Sequence, residues 1–105
     1  MEEEYFNEIR QLFINRHQGV SPGKMMSSAA VTYNDKVFAF FSRKKKMVFK
    51  LGKDFDPIRE DYDIQVFNPF KKRPPLYGWF EVTYDHKDRW ANLAEQALEK
   101  LKAEL

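Results

Sequence analysis

Lys36 to Gly52 reads KVFAFFSRKKKMVFKLG, two dense apolar runs on either side of four consecutive basic residues. Val37 to Phe41 is apolar at every position, so periodicity alone does not separate helix from strand. Its β-branched and aromatic content and its short length favour a strand buried on both faces. Met47 to Leu51 alternates, with Met47, Phe49 and Leu51 on one side and Val48 and Lys50 on the other. That pattern predicts a strand with one buried face and one partly wet face. The whole stretch is therefore expected to be a β-hairpin whose tip, Ser42 to Lys46, is polar and cationic.

Working outward, Asn34-Asp35 tolerates positive φ and separates two strand-like runs, the composition of a tight hairpin turn. Met25 to Tyr33, apolar with small residues, is the strand on its N-terminal side, and Val20 to Lys24 with its Ser-Pro-Gly reads as a loop. Glu2 to His17 carries Tyr5, Phe6, Ile9, Leu12 and Phe13 at helical spacing, with acids in the first turn and Gly19 just beyond the end. On the other side, Asp54 to Glu60 predicts a short helix with Asp54 as N-cap and Pro57 in the first turn. Tyr62 to Phe67 and Trp79 to Tyr84 alternate as strands. Asn68 to Gly78, with three prolines around Lys71-Lys72-Arg73, reads as a loop. Asp85 is the expected N-cap of a last helix, with Asp88 at N3. Its apolar stripe is Trp90, Leu93, Ala94, Ala97, Leu98, Leu101 and Leu105.

The order is helix, three strands, short helix, two strands, helix. Strands grouped between helices predict a single α+β domain over residues 1–105, an antiparallel, curled sheet of about five strands against the two terminal helices. At 105 residues, with 10 Phe, 5 Tyr and 2 Trp, the chain has the material for one core. It contains no cysteine, which excludes disulfides, thiolate metal sites and cysteine nucleophiles. The acidic start, Met1-Glu2-Glu3-Glu4, is unlike a secretory signal, and no apolar run approaches the ~20 residues of a membrane span. A soluble, cytoplasmic protein with no membrane partner is the expectation.

Lys24-Met25-Met26, Tyr33-Asn34-Asp35-Lys36, Val37-Phe38-Ala39-Phe40-Phe41 and Val48-Phe49-Lys50-Leu51 together resemble the TfoX N-terminal domain and the related YjbR-like (MmcQ-like) proteins. Trp79 onward, through the Trp90-x-x-Leu-Ala-x-x-Ala-Leu helix, is also similar to theirs. Ser27 and Ser28 stand where the family has paired glycines, and Asp35 where it has the turn glycine. The resemblance implies the α+β architecture. It also implies a regulatory role, with nucleic acid as the partner suggested for these families by fold analogy.

The formal net charge is only +2, but it is unevenly spread. Lys36 to Lys53 holds seven basic residues and no acid, and Asp54 to Asp63 holds five acids and one base, Arg59. The candidate nucleic-acid contacts are Arg43, Lys44, Lys45 and Lys46, joined by Lys36, Lys50 and Lys53. Lys71, Lys72 and Arg73 are a second group if their loop folds to the same side. Cations held together on a ribbon gain affinity by releasing counterions from phosphates. Lysines at a hairpin tip also serve simply to keep an exposed turn soluble. Phe38, Phe40, Phe41, Phe49 and Phe80 are expected in the core, leaving Phe70 and Tyr77 as the exposed aromatics.

Nothing in the chain points to catalysis. His17 and His86 lack partners at ligand or triad spacing, and Ser27 and Ser28 stand in no nucleophile elbow. The four glycines form no phosphate loop, and the acidic block lacks the calcium-loop pattern. The expected function is non-catalytic and regulatory, without cofactor or metal, touching nucleic acid through the basic hairpin. The alternative is a protein-interaction module that binds a partner or forms a homodimer through a sheet edge or an apolar patch near Tyr77 and Trp79.

Overall fold

A computed structural model describes residues 1–68 and 76–105, apart from the side chain of Ile58. Among these residues six strands form one antiparallel sheet between an N-terminal and a C-terminal α-helix, in the order β1-β2-β3-β4-β6-β5. The helices are α1 (Glu2–Arg16) and α2 (Trp90–Glu104). The strands are β1 (Val20–Met25), β2 (Ser28–Tyr33), β3 (Lys36–Phe41), β4 (Met47–Lys50), β5 (Gln65–Val66) and β6 (Trp79–Val82). The α+β class expected from the sequence is the one observed. No described helix is long and apolar enough to cross a membrane.

Both helices cover one face of the sheet. Phe6, Ile9 and Phe13 of α1 and Trp90, Leu93, Ala94, Ala97, Leu98 and Leu101 of α2 are buried against Val31, Phe38, Met47, Phe49, Phe80 and Val82. Each such large side chain removed from water contributes about 1.5–3 kcal/mol, so this face is the main source of stability. The expected stripes are nearly complete, but Leu12 and Leu105, at 38% and 58% exposure, turn to solvent.

The bulge in β3 accounts for its unbroken apolar run. Val31 pairs with Ala39 and Thr32 with Val37, leaving Phe38 as an extra residue with no opposite number. Phe38 and Ala39 therefore both enter the helix-covered core, whereas Val37 and Phe40 face the other way. That second face is dry at its centre too. Ala30, Phe40, Val48 and Phe67 are buried together, bordered by Met25, Val37, Leu76 and Trp79. Val48, expected on a partly wet side, is fully buried because Phe67 returns across the strand pair, with its ring 5.2 Å from that of Phe40.

The main departure from expectation is β1. Val20 to Lys24, read as a loop, pairs along its length with β2, from Val20↔Tyr33 to Met25↔Ser28. Pro22 is compatible because β1 is an edge strand. With Met25 and Ser28 closing a two-residue turn, Met25, Gly23 and Ser21 direct their backbone groups to β2, and Val20, Pro22 and Lys24 direct theirs outward. The Val20 N–H is taken by the His17 carbonyl at 3.3 Å, and Pro22 has none. Of the outward row in β1, only Lys24 retains an N–H without a partner among the described residues.

Met25 to Tyr33 is accordingly not one strand but the end of β1, a turn at Met26-Ser27, and β2. Three further segments are shorter than expected. The residue before a proline is held away from helical backbone, so Asp54 caps nothing and only a 3₁₀ turn, Pro57–Arg59, forms. Strand pairing in Tyr62 to Phe67 is limited to Gln65 and Val66. Asp85 does not cap α2. A 3₁₀ stretch, Tyr84–Arg89, precedes that helix, with non-helical backbone at His86. The buried Trp90 holds it there by donating its indole N–H to the Thr83 carbonyl at 3.2 Å.

Candidate nucleic-acid interface

The hairpin tip is a built turn. The Ser42 N–H donates to the Lys46 carbonyl at 2.8 Å and the Lys45 N–H to the Ser42 carbonyl at 3.0 Å. The Ser42 hydroxyl accepts from the Lys46 N–H at 3.3 Å, and Ser42 itself is buried. Lys45 takes the left-handed conformation, φ +63°, that a three-residue hairpin loop requires at its last position. Lysine fills a place where glycine is the unstrained choice.

Arg43, Lys44 and Lys45 are exposed, and within the described residues none of them has an ion-pair or hydrogen-bond partner for its side chain. Lys46 differs. It is half-buried, and its Nζ lies 3.6 Å from Oε1 of Glu81 on β6. Three free cations thus stand at the tip, and the fourth is neutralised behind them.

The wider cationic group expected from the sequence is not brought together. Lys36 begins β3 and Lys50 ends β4, so both lie at the end of the hairpin away from Arg43 to Lys45, and Lys53 follows Lys50. At about 3.3 Å per residue, the strand from Lys46 to Lys50 alone separates the two groups by about 13 Å. Lys71, Lys72, Arg73 and the aromatic Phe70 lie outside the described residues. Tyr77 is 62% exposed as expected, and Phe38, Phe40, Phe49 and Phe80 are core residues.

Beneath the tip the second face opens into a cleft of about 350 Å³, lined by the Met26 and Ser28 end of the first hairpin, Phe40, Ser42, Arg43, Lys44, Phe67, Asn68 and Glu81. Sequence reading did not find this arrangement, because Glu81 reaches it only through the pairing of β6 with β4, and Phe67 only by its return across Phe40. Once β1 pairs with β2, the Met26-Ser27 turn and the cationic tip fall at the same end of the sheet and Asn34-Asp35 at the other.

Elsewhere, the Tyr62 hydroxyl has its pKa pushed up to about 12, first by burial and then by the Glu60 carboxylate, against the opposing pull of Arg89. The Arg89 guanidinium sits 4.9 Å from that ring and the His86 ring 5.6 Å. A tyrosine held neutral in this way packs a surface and is a poor general base. Comparison with protein-family models, curated proteins and solved structures returns no match.

Proposed function

We propose that this is a small, non-catalytic regulatory protein of the TfoX N-terminal and YjbR-like type, acting in the cytoplasm and contacting nucleic acid through the tip of the β3–β4 hairpin. The observation that carries the reading is the tip itself: three exposed cations without partners among the described residues, on a turn fixed by Ser42. The hydrogen-bonded turn holds the backbone that carries these charges, so less backbone order has to be imposed when phosphates bind. Fluorescence anisotropy with labelled duplex and single-stranded oligonucleotides at low and moderate salt tests it. Binding should weaken steeply with salt. Changing Arg43, Lys44 and Lys45 to Ala should lower the log–log slope by ~0.9 for each duplex phosphate that is no longer neutralised. An absence of binding at micromolar protein in low salt rules the reading out.

The alternative, a protein-interaction module, is favoured by one observation, the exposed Tyr77 ring beside half-buried Trp79. Its sheet-edge form has less support, because β1 offers a single free outward N–H and β5 is two residues long. Light scattering over a range of concentrations, on the wild type and on Tyr77→Ser, separates self-association through that patch from a monomer.

A further inference from the structure

The cleft beneath the tip differs chemically from the tip. Phosphate contacts need only cations, yet this cleft has an apolar floor of Met26, Phe40 and Phe67 and a carboxylate, Glu81, in its wall. An acid beside Arg43 and Lys44 would weaken a site meant for phosphate alone. It suits a molecule with an anionic end and a second end rich in hydrogen-bond donors. Lys46 does not consume that acceptor. At 3.6 Å its ammonium is too far for a direct hydrogen bond to Oε1, so it leaves the carboxylate's lone pairs for a ligand.

A volume of about 350 Å³ lies at the lower end of small-ligand pockets and suits one nucleotide rather than a stacked run. The backbone around the cleft is a second, independent observation. Met26, which lines the cleft, holds φ of +49°, and its neighbour Ser27 holds +71°; Lys45, next in sequence to the lining Lys44, holds +63°. Such conformations cost of order 1 kcal/mol or more each and concentrate where geometry matters to function. The turn at Met26-Ser27 places the half-exposed Met26 side chain, a polarizable thioether suited to an aromatic ring, in the lining of the cleft.

We infer that the cleft takes one unpaired guanine nucleotide, its base against Met26 with the N1–H and N2–H₂ edge donated to Glu81, and its phosphate on Arg43 and Lys44. That edge is occupied in a duplex, so the site selects a single strand or a free nucleotide. The inference rests on the tip being a phosphate contact, and it adds a base-reading element to it.

The test is titration of the ¹⁵N-labelled full chain with GMP and, separately, AMP, which share a purine body and differ at the edge. A guanine-containing single strand and its duplex follow as further arms. Amide signals of Ser28, Ser42 and Glu81 should move with GMP, which should bind roughly tenfold tighter than AMP. Glu81→Gln should remove that preference, and Arg43→Ala should weaken both nucleotides alike. The amide spectrum of each variant reports that it remains folded. A response to the mononucleotide identifies a free nucleotide as sufficient, and a response to the single strand alone identifies a strand. Equal affinity for GMP and AMP, or a preference that survives Glu81→Gln, overturns the inference. Duplex binding by the tip with silent cleft signals overturns the cleft alone and leaves the proposed function standing, whereas failure of every arm removes both.

Discussion

The two ends of the sheet use the same backbone solution with different residues. At one end Asn34 and Asp35 turn the chain from β2 to β3 with φ of +50° and +69°. At the other Met26 and Ser27 turn it from β1 to β2 with φ of +49° and +71°. Left-handed backbone at both central residues matches the twist of paired strands. Asn and Asp adopt it at low cost, because their short polar side chains bond locally. Met and Ser lack that compensation, and Lys45, at the same end, lacks it too. The conformation is thus dictated by the sheet at both ends, and only at the end without the cleft do the residues follow local preference. The difference places the unfavourable residues together at one end of the sheet.

The comparison can be broken most severely at the favourable end. Asn34→Val with Asp35→Val forces two β-branched residues into left-handed backbone and should cost roughly 3 kcal/mol in urea unfolding, with nucleotide binding at the cleft unchanged. At the cleft end, Gly23→Ala tests how tightly the first hairpin is packed. Its new Cβ would meet Thr32 Cγ2 at 2.6 Å, and Thr32 is itself held by a 2.9 Å bond between its hydroxyl and that of Ser21. A destabilisation of about 2 kcal/mol is expected. Met26→Asn with Ser27→Gly should go the other way, raising stability by about 1 kcal/mol while weakening any ligand that lies on Met26. If it raises stability and leaves binding intact, the strain at that turn serves nothing in the cleft. The smallest effect is expected from Lys45→Gly, a gain of about 0.5 kcal/mol or more accompanied by a salt slope lower by ~0.9.

The legible parts of the sequence were those where local preference and tertiary structure agree. The two helices, the hairpin from Lys36 and the Asn34-Asp35 turn all follow from spacing and turn chemistry. The parts that misled were those where the fold overrides local preference. Ser21-Pro22-Gly23 has the composition of a loop and forms an edge strand, because that position asks for no N–H from residue 22. Met26-Ser27 carries no turn signal, since the flanking strands alone impose the turn. Val48 is dry because Phe67, 19 positions later in the chain, covers it. Among the site residues the cations were legible as a run. Their division into three free and one paired with Glu81 was not, because the β4–β6 pairing that brings Glu81 opposite Val48 joins distant segments.

Pro22 also acts on how many chains the sheet can hold. In polymer terms it is a terminator. An incoming antiparallel strand needs donors two residues apart, and here the pair it would meet is Pro22 and Lys24, of which one is blank. Pro22→Thr would restore that donor, so edge pairing through β1 should increase and light scattering should show more self-association than in the wild type. A single imino acid thereby withholds one of the two donors that a strand pairing with this edge would use.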